Sequence, residues 1–212
     1  MTFDFAQARV NMVESQVRTN DVTDHAVQDA MSDFPRERLC APGKQSLAYA
    51  EAATPYAPGW FMMEPRDVSK LMQAVSPKPG EKALAIAAPY AAALLSLIGC
   101  HVTARLPEGA GETVSPVLAE HGVAVETGDL ARLGEEGPFD LIVCEGGVTR
   151  IPQAWLDALA VGGRLAVVER VGPGGKAQLV TRGEDGLPAR RELFDSTPPL
   201  MPGFAPVEAF AL

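Results

Sequence analysis

The sequence predicts a doubly wound, mostly parallel α/β sheet that ends in an antiparallel hairpin. From Gly80 onward, apolar runs of strand length alternate with segments of helical spacing, the order expected of parallel βαβ units. Residues 139–143 are almost continuously apolar, as expected of a strand covered on both faces. Two strand-like runs near the C-terminus, residues 177–182 and 190–194, have no helix between them, which predicts the hairpin.

The N-terminal portion, residues 1–78, is interpreted as a helical lid over this sheet. Apolar periodicity, capping residues and a proline suited to a first helical turn predict three helices and a short strand. They are a helix over residues 5–18, a helix capped by Thr23 or Asp24 that runs to Met31, an irregular segment with one strand over residues 47–58, and a helix over residues 65–75.

The remaining residues, 79–212, are predicted to form a Rossmann-like core that completes a single domain of residues 1–212, because no long linker interrupts the chain. The other predicted strands are residues 83–87, 102–106, 124–127 and 164–169, and the predicted helices are residues 91–98, 113–121 and 152–159.

Composition and charge limit the classes of partner. Apolar residues make up 47% of the chain and charged residues 21%, which is typical of a soluble globular protein. The formal net charge of −9 argues against nucleic acid and against an anionic membrane surface. The two basic clusters, residues 35–38 and 189–192, are interleaved with acids and are interpreted as solvated faces.

The uncharged stretch from Ala83 to Cys100 has the length of a short membrane span. Its alanine content and Pro89 favour a buried strand followed by a buried helix instead, and no membrane partner is expected. The three cysteines are far apart, which predicts reduced thiols and a cytoplasmic protein. The three histidines lack metal-ligand spacing, so no metal site is predicted.

Several stretches, from about Ala8 to Phe210, together resemble one known family. They are residues 9–18, residues 27–38 with the motif Pro-Arg-Glu, the triplet Tyr49-Ala50-Glu51, residues 139–143, residues 152–165 with Gly162-Gly163, and residues 193–200. On these residues the chain resembles the protein-L-isoaspartate O-methyltransferase family, within the seven-stranded, Rossmann-like fold of class I S-adenosylmethionine-dependent methyltransferases.

The resemblance implies methyl transfer from S-adenosylmethionine to the α-carboxylate of an isoaspartyl residue in a protein substrate. The attacking carboxylate is already an anion at neutral pH, so the reaction needs no strong general base. The protein mainly supplies positioning and electrostatics. The cofactor loop and the substrate loop therefore carry most of the functional information, and no catalytic residue is assigned.

The cofactor loop departs from the family's pattern, which is acid-apolar-Gly-x-Gly-x-Gly. Ala85 stands at the acid position, and Ala87, Ala88 and Pro89 replace the glycines in a turn about two residues shorter. Alanine at a position that needs a positive φ costs about 1 kcal/mol or more, and a lost charge-assisted contact costs ~1.5–3 kcal/mol. Glu108 is a candidate for the acid that holds the ribose hydroxyls, but it lies out of register.

The substrate loop departs as well. The segment from Gly59 to Pro65 lies where the family has Gly-x-Thr-apolar-Ser-x-Pro, and its two ends fit. Phe61 and Met63 replace the two hydroxyl residues, so the hydroxyl that would contact the substrate carboxylate is missing. The apolar side chains of residues 60–63 form either a binding edge, consistent with a homodimer, or a plug packed under the lid.

Three further positions could retain a part of a site. Asp129 and Leu130 resemble the loop that contacts the adenine in the family, or they form an ordinary turn after a strand. Glu145 ends a strand at the carboxyl edge, where ligands of such sheets bind, so it either holds a polar ligand or is solvated.

These observations leave three hypotheses. The first is a degenerate family member with a closed cofactor pocket, which acts as a scaffold or binding protein for an unknown protein partner. It predicts apolar side chains where the methionine moiety would lie. The second is an active repair methyltransferase that binds S-adenosylmethionine and isoaspartyl-containing proteins, with a loop that opens despite Pro89. The third is a sensor of another small ligand at Asp129 and Glu145.

Overall fold

The N-terminal portion consists of three α-helices and a two-stranded hairpin in the computed structural model, which describes residues 3–133 and 137–205. Phe210, the predicted end of the family resemblance, lies outside the described residues. The elements are α1 (Phe5–Met12), α2 (His25–Asp33), β1 (Thr54–Ala57), β2 (Trp60–Met62) and α3 (Pro65–Val75).

The predicted helices are confirmed, with one difference in the first. The side chain of Asp24 caps α2 by accepting the N–H groups of Ala26 and Val27, and Pro65 begins α3. Beyond α1 the chain stays helical but changes its hydrogen bonding, first to a π-helical turn over Val13–Val17 and then to a 3-10 turn over Arg18–Asn20.

A seven-stranded sheet forms the centre of the fold, as predicted. Its strands are β3 (Lys82–Ile86), β4 (His101–Leu106), β5 (Ala124–Thr127), β6 (Phe139–Val148), β7 (Leu159–Val171), β8 (Gly174–Arg182) and β9 (Pro188–Asp195). They lie in the spatial order β5-β4-β3-β6-β7-β8-β9. All pairs from β5 to β7 are parallel, and the pairs β7–β8 and β8–β9 are antiparallel, which confirms the terminal hairpin.

The order of the strands reverses between β3 and β6, so the connections that leave their carboxyl ends diverge. A crevice at such a switch point is where open α/β sheets bind ligands. Helix α4 (Pro89–Ile98) follows β3 directly, while α5 (Gly111–Glu120) and α6 (Gln153–Asp157) cross over elsewhere. The end of β3, the start of α4 and the end of β6 therefore define the candidate site.

Two apolar clusters cover the two faces of the sheet. The larger includes residues of α1 to α5, and the smaller is built around Trp155 of α6. All three cysteines are buried and unpaired, as predicted. The stretch Ala83–Cys100 divides between β3 and α4, and no helix among the described residues is long and apolar enough to cross a membrane.

Candidate functional site

Glu145, near the end of β6, links the sheet to the first turn of α4. One carboxylate oxygen, Oε1, accepts the N–H of Ala91 at 2.7 Å, and Oε2 accepts the N–H of Met63 at 3.1 Å. The residue is only 1% exposed, so of the two alternatives for Glu145 the solvated one is wrong. Its negative charge lies at the positive end of the α4 dipole, where an anionic ligand would otherwise be favoured.

The electrostatics of Glu145 are dominated by burial. Burial raises the pKa of the Glu145 carboxyl to about 7, although the Arg36 guanidinium and the N–H groups of Ala91, Met63 and Tyr90 act to lower it. The donors favour the charged form, but they do not fully offset the loss of water.

Arg36 is the counter-charge in this buried region, and sequence reasoning missed it. Its Nη2 donates to the carbonyl of Met63 at 2.5 Å, and its guanidinium lies 4.4 Å from the centre of the Tyr90 ring. The interpretation of residues 35–38 as a solvated face is therefore wrong for Arg36, which is fully buried. The signal in the sequence was the apolar flank on either side, because Phe34 and Leu39 are both buried.

We expect the pKa of Glu145 to make stability depend on pH. Between about 4.5, its ordinary pKa, and about 7, the folded protein holds a proton that the unfolded chain releases. The free energy of unfolding should therefore fall as pH rises across this window, by about 3 kcal/mol in total, and should level off above it. Urea denaturation at pH 5 and pH 8 measures this, with Glu145→Gln as the reference that lacks the titration. Parallel pH dependences in the two proteins would contradict the assignment.

The residues at the position of the cofactor loop are buried. Ala85, Ala87 and Ala88 are fully buried, and Pro89 is buried as the first residue of α4. Ala87 adopts φ +47°, a left-handed conformation in which glycine is unstrained. The chain thus makes a sharp turn after β3 through a strained alanine, whose methyl group packs in the smaller apolar cluster.

We expect the strain at Ala87 to be measurable by comparison with Ala83, another fully buried alanine, on β3, whose φ is not positive. Both Ala→Gly changes remove a buried methyl group and loosen the unfolded chain, but only Ala87→Gly relieves a positive φ. Ala87→Gly should therefore cost about 1 kcal/mol less than Ala83→Gly. Chemical denaturation of the two variants checks this, and equal costs would argue against strain at Ala87.

The residues predicted on the ribose and adenine side do not form a pocket with Glu145. Glu108 is exposed in the turn after β4. Asp129 is exposed, and its Oδ1 accepts the N–H of Ala131 at 2.9 Å, which is the geometry of an ordinary turn. Leu130 is buried, and its carbonyl accepts the indole N–H of Trp155 at 2.7 Å. The loop at Asp129 and Leu130 is therefore anchored by Leu130, which packs in the smaller apolar cluster.

The substrate-loop segment packs inward. Gly59, at φ +77°, makes the turn between β1 and β2, and Pro65 opens α3. Met63 is buried, and so is its neighbour Met62, whereas Phe61 is half-buried. A plug is therefore the better description of this segment than an open edge.

The space between this segment and Glu145 is almost filled. A cavity of about 10 Å³ remains there, bounded by Phe61, Met63, Glu145 and the residues around Met201. One water molecule needs roughly 10–15 Å³ by this measure, and sites for drug-sized ligands occupy roughly 300 Å³ or more. The residues present therefore do not fit a ligand of the size of S-adenosylmethionine at this position.

A C-terminal strap, residues 196–205, closes the carboxyl edge of β6, and sequence analysis did not foresee it. Gly147 donates its N–H to the carbonyl of Pro199 and accepts the N–H of Met201, both at 2.9 Å. A Cβ at Gly146 would lie 2.5 Å from the Met201 side chain, so this glycine allows the strap to lie close. The pair Gly146-Gly147 at a strand end was the available signal.

Within residues 3–133 and 137–205, the His, Cys, Asp and Glu side chains form no cluster suited to hold a metal ion.

Comparisons with known proteins agree with the family resemblance of the sequence motifs. The profile of the protein-L-isoaspartate(D-aspartate) O-methyltransferase family matches residues 7–188. The chain is 35% identical over 196 residues to the protein-L-isoaspartate O-methyltransferase of Methylorubrum extorquens, covering 88% of this chain and 85% of that protein. It is 29% identical over 198 residues to the protein of the same name from Koribacter versatilis, covering 90% and 89%.

Solved structures support the fold. One protein-L-isoaspartate O-methyltransferase superposes with a TM-score of 0.76 at 20% identity, over 92% of this chain and 66% of that one. A Plasmodium falciparum protein of the same name, solved with S-adenosyl-L-homocysteine, gives 0.74 at 15% identity, over 94% and 99%. The chain belongs to the protein-L-isoaspartate(D-aspartate) O-methyltransferase family.

Proposed function

We propose that this chain is a non-catalytic member of its family, which does not bind S-adenosylmethionine in the family manner and acts as a scaffold or binding protein. The observation that carries the proposal is the place of Glu145. Its carboxylate occupies the first turn of α4, at the switch point of the sheet, and is held there by the N–H groups of Ala91 and Met63.

Displacing this internal anion would be costly. A cofactor that reached the start of α4 would have to break the two hydrogen bonds of Glu145 and move the strap that lies on Gly147. Each hydrogen bond to a charged group contributes about 1.5–3 kcal/mol. That cost alone would weaken a cofactor's affinity by well over a hundredfold.

The residues whose contacts with a cofactor would offset this cost are absent from the family positions. Ala85 provides no carboxylate, and Ala87 and Ala88 provide methyl groups where the family pattern has glycines. Met63 stands at the position of the substrate-loop hydroxyl and contributes only backbone atoms to the network around Glu145. The cofactor loop and the substrate loop are therefore both altered, and both changes favour a loss of methyl transfer.

An active methyltransferase with an atypical loop is the second candidate. Membership of the family favours it, because the relatives of this chain carry the name of that activity. It requires the strap and the Glu145 network to open, and Glu108, which is exposed, to take over contacts to the ribose.

Methyl transfer separates the two candidates. The purified chain would be incubated with labelled S-adenosylmethionine and an isoaspartyl peptide, with the Methylorubrum extorquens relative in a parallel reaction. We expect carboxyl methylation by the relative and none above the enzyme-free blank by this chain. Turnover by this chain at a rate near that of the relative would overturn the proposal.

A further inference from the structure

The turn between β8 and β9 contains the only aspartate of the chain that is followed by glycine, Asp185-Gly186, and no asparagine is followed by glycine. Residues 184–188 are all exposed. The turn lies at the amino end of β7, opposite the carboxyl edge that holds the candidate site. An exposed aspartate before glycine is the setting in which a main-chain nitrogen reacts most readily with a side-chain carboxyl group, because glycine has no side chain in the way.

The side chain of Asp185 is folded back along its own main chain. Its Oδ1 accepts the N–H of Leu187 at 3.0 Å, which is the geometry of an Asx turn. The ring that this hydrogen bond closes contains Cγ, Cβ, Cα and C of Asp185 and N of Gly186, and these are the atoms of a succinimide ring. A single new bond, from N of Gly186 to Cγ of Asp185, would therefore complete a succinimide.

Gly186 leaves this approach open. It adopts φ +78°, and a Cβ built on it would have no atom within 4 Å. Its N–H donates to the carbonyl of Gly183 at 3.0 Å, so the turn has to loosen before the nitrogen can react. That opening is local, because residues 184–187 are exposed and lie at the tip of a hairpin that ends in the edge strand of the sheet.

We propose that Asp185-Gly186 is a modification site at which the chain converts aspartate to isoaspartate. The nitrogen of Gly186 attacks Cγ of Asp185, the Cγ–O bond of the protonated carboxyl group breaks, and its hydroxyl leaves with the amide proton as water. Water then opens the succinimide. Addition at Cγ restores aspartate, whereas addition at the α-carbonyl carbon leaves the main chain running through Cγ and a free α-carboxylate. The mass is unchanged, and no other reactant is consumed.

The conversion alters the turn. The main chain gains one carbon atom, and the side-chain oxygen that accepts the N–H of Leu187 becomes part of a main-chain amide. The bond from the N–H of Gly183 to the carbonyl of Leu187, at 2.9 Å, closes the same turn, so isoaspartate should loosen the pairing of Arg182 with Pro188. The product is the group after which the family is named. The inference is nevertheless independent of the proposed function, because the chain is here the reactant.

Peptide mapping of the stored chain tests the site, with Asp129 as an internal control. Asp129 makes the same turn, since its Oδ1 accepts the N–H of Ala131 at 2.9 Å, but the next residue is Leu130, whose buried side chain anchors the loop. The purified chain is kept for several weeks at neutral pH and physiological temperature and is then digested with trypsin, which releases residues 183–190 and 106–132. Reversed-phase chromatography separates isomers of equal mass, and electron-transfer dissociation assigns them.

We expect isoaspartate at residue 185 to increase with storage time, and to be absent from residue 129 and from the fresh chain. Asp185→Glu should abolish the modification, because its ring would need one more atom, and Asp185→Asn should accelerate it, because ammonia leaves in place of water. A synthetic peptide of residues 183–190 gives the reaction without the fold. If that peptide formed isoaspartate and the folded chain did not, or if residues 185 and 129 reacted equally, the inference would be overturned.

Discussion

Glu145→Ala should lower the free energy of unfolding at pH 8, where the Glu145 carboxyl is ionised, by about 3–5 kcal/mol, a large fraction of the stability of a domain this size. The substitution leaves the N–H groups of Ala91 and Met63 without their acceptor in a buried site. It also removes the negative charge that interacts with the guanidinium of Arg36, which is fully buried. Urea denaturation followed by circular dichroism measures the loss.

Two controls make this result specific. Glu145→Gln keeps one acceptor oxygen and should lose less, about 1–2 kcal/mol. Glu112→Gln changes an exposed acid and should lie within about 0.5 kcal/mol of wild type. If Glu145→Ala were as stable as wild type, Glu145 would not be a structural link between β6, α4 and the substrate-loop segment.

Ala85→Asp should destabilise the protein by about 3 kcal/mol or more, even though it restores the acid of the family's cofactor loop. Ala85 lies between Ala104 of β4 and Val143 of β6 and is fully buried in the larger apolar cluster. A carboxylate introduced there would be desolvated without a partner. The loss should shrink as pH falls, because a protonated carboxyl is less costly to bury.

Ala124→Asp is the matched control, since it makes the same change at an exposed position of β5. It should cost no more than about 1 kcal/mol. If Ala85→Asp cost as little as Ala124→Asp, independently of pH, position 85 would open onto solvent or a ligand pocket. That result would favour the active methyltransferase.

The fold was predictable because its signals are local and repeated. Apolar runs of strand length, the capping residue Asp24 and the first-turn Pro65 each fix one element, and their alternation leaves few topologies. Boundaries were less predictable where long-range pairing decides them. Strand β6 extends beyond residue 143 to Val148 because its end pairs with β7 and the strap. Strand β7 begins at Leu159, although the sequence pattern predicts this residue as the end of the preceding helix.

The location of the candidate site was predictable from the sequence, but the contacts that fill it were not. The missing glycines and the missing acid indicated a changed cofactor loop. The cap of α4 by Glu145 could not be foreseen, because it joins residues 54 and 82 positions apart in the chain. Arg36 was misassigned for the same reason, since its partners Met63 and Tyr90 are distant in sequence. Contacts of this kind depend on packing, which periodicity does not encode.

Calorimetric titration of the purified chain with S-adenosyl-L-homocysteine and S-adenosylmethionine tests most directly the proposal that the chain does not bind the cofactor. The Methylorubrum extorquens relative, titrated under the same conditions, shows that the ligands are competent. The proposed function predicts no heat of binding at millimolar ligand from a chain that unfolds cooperatively. Binding in the micromolar range would contradict it.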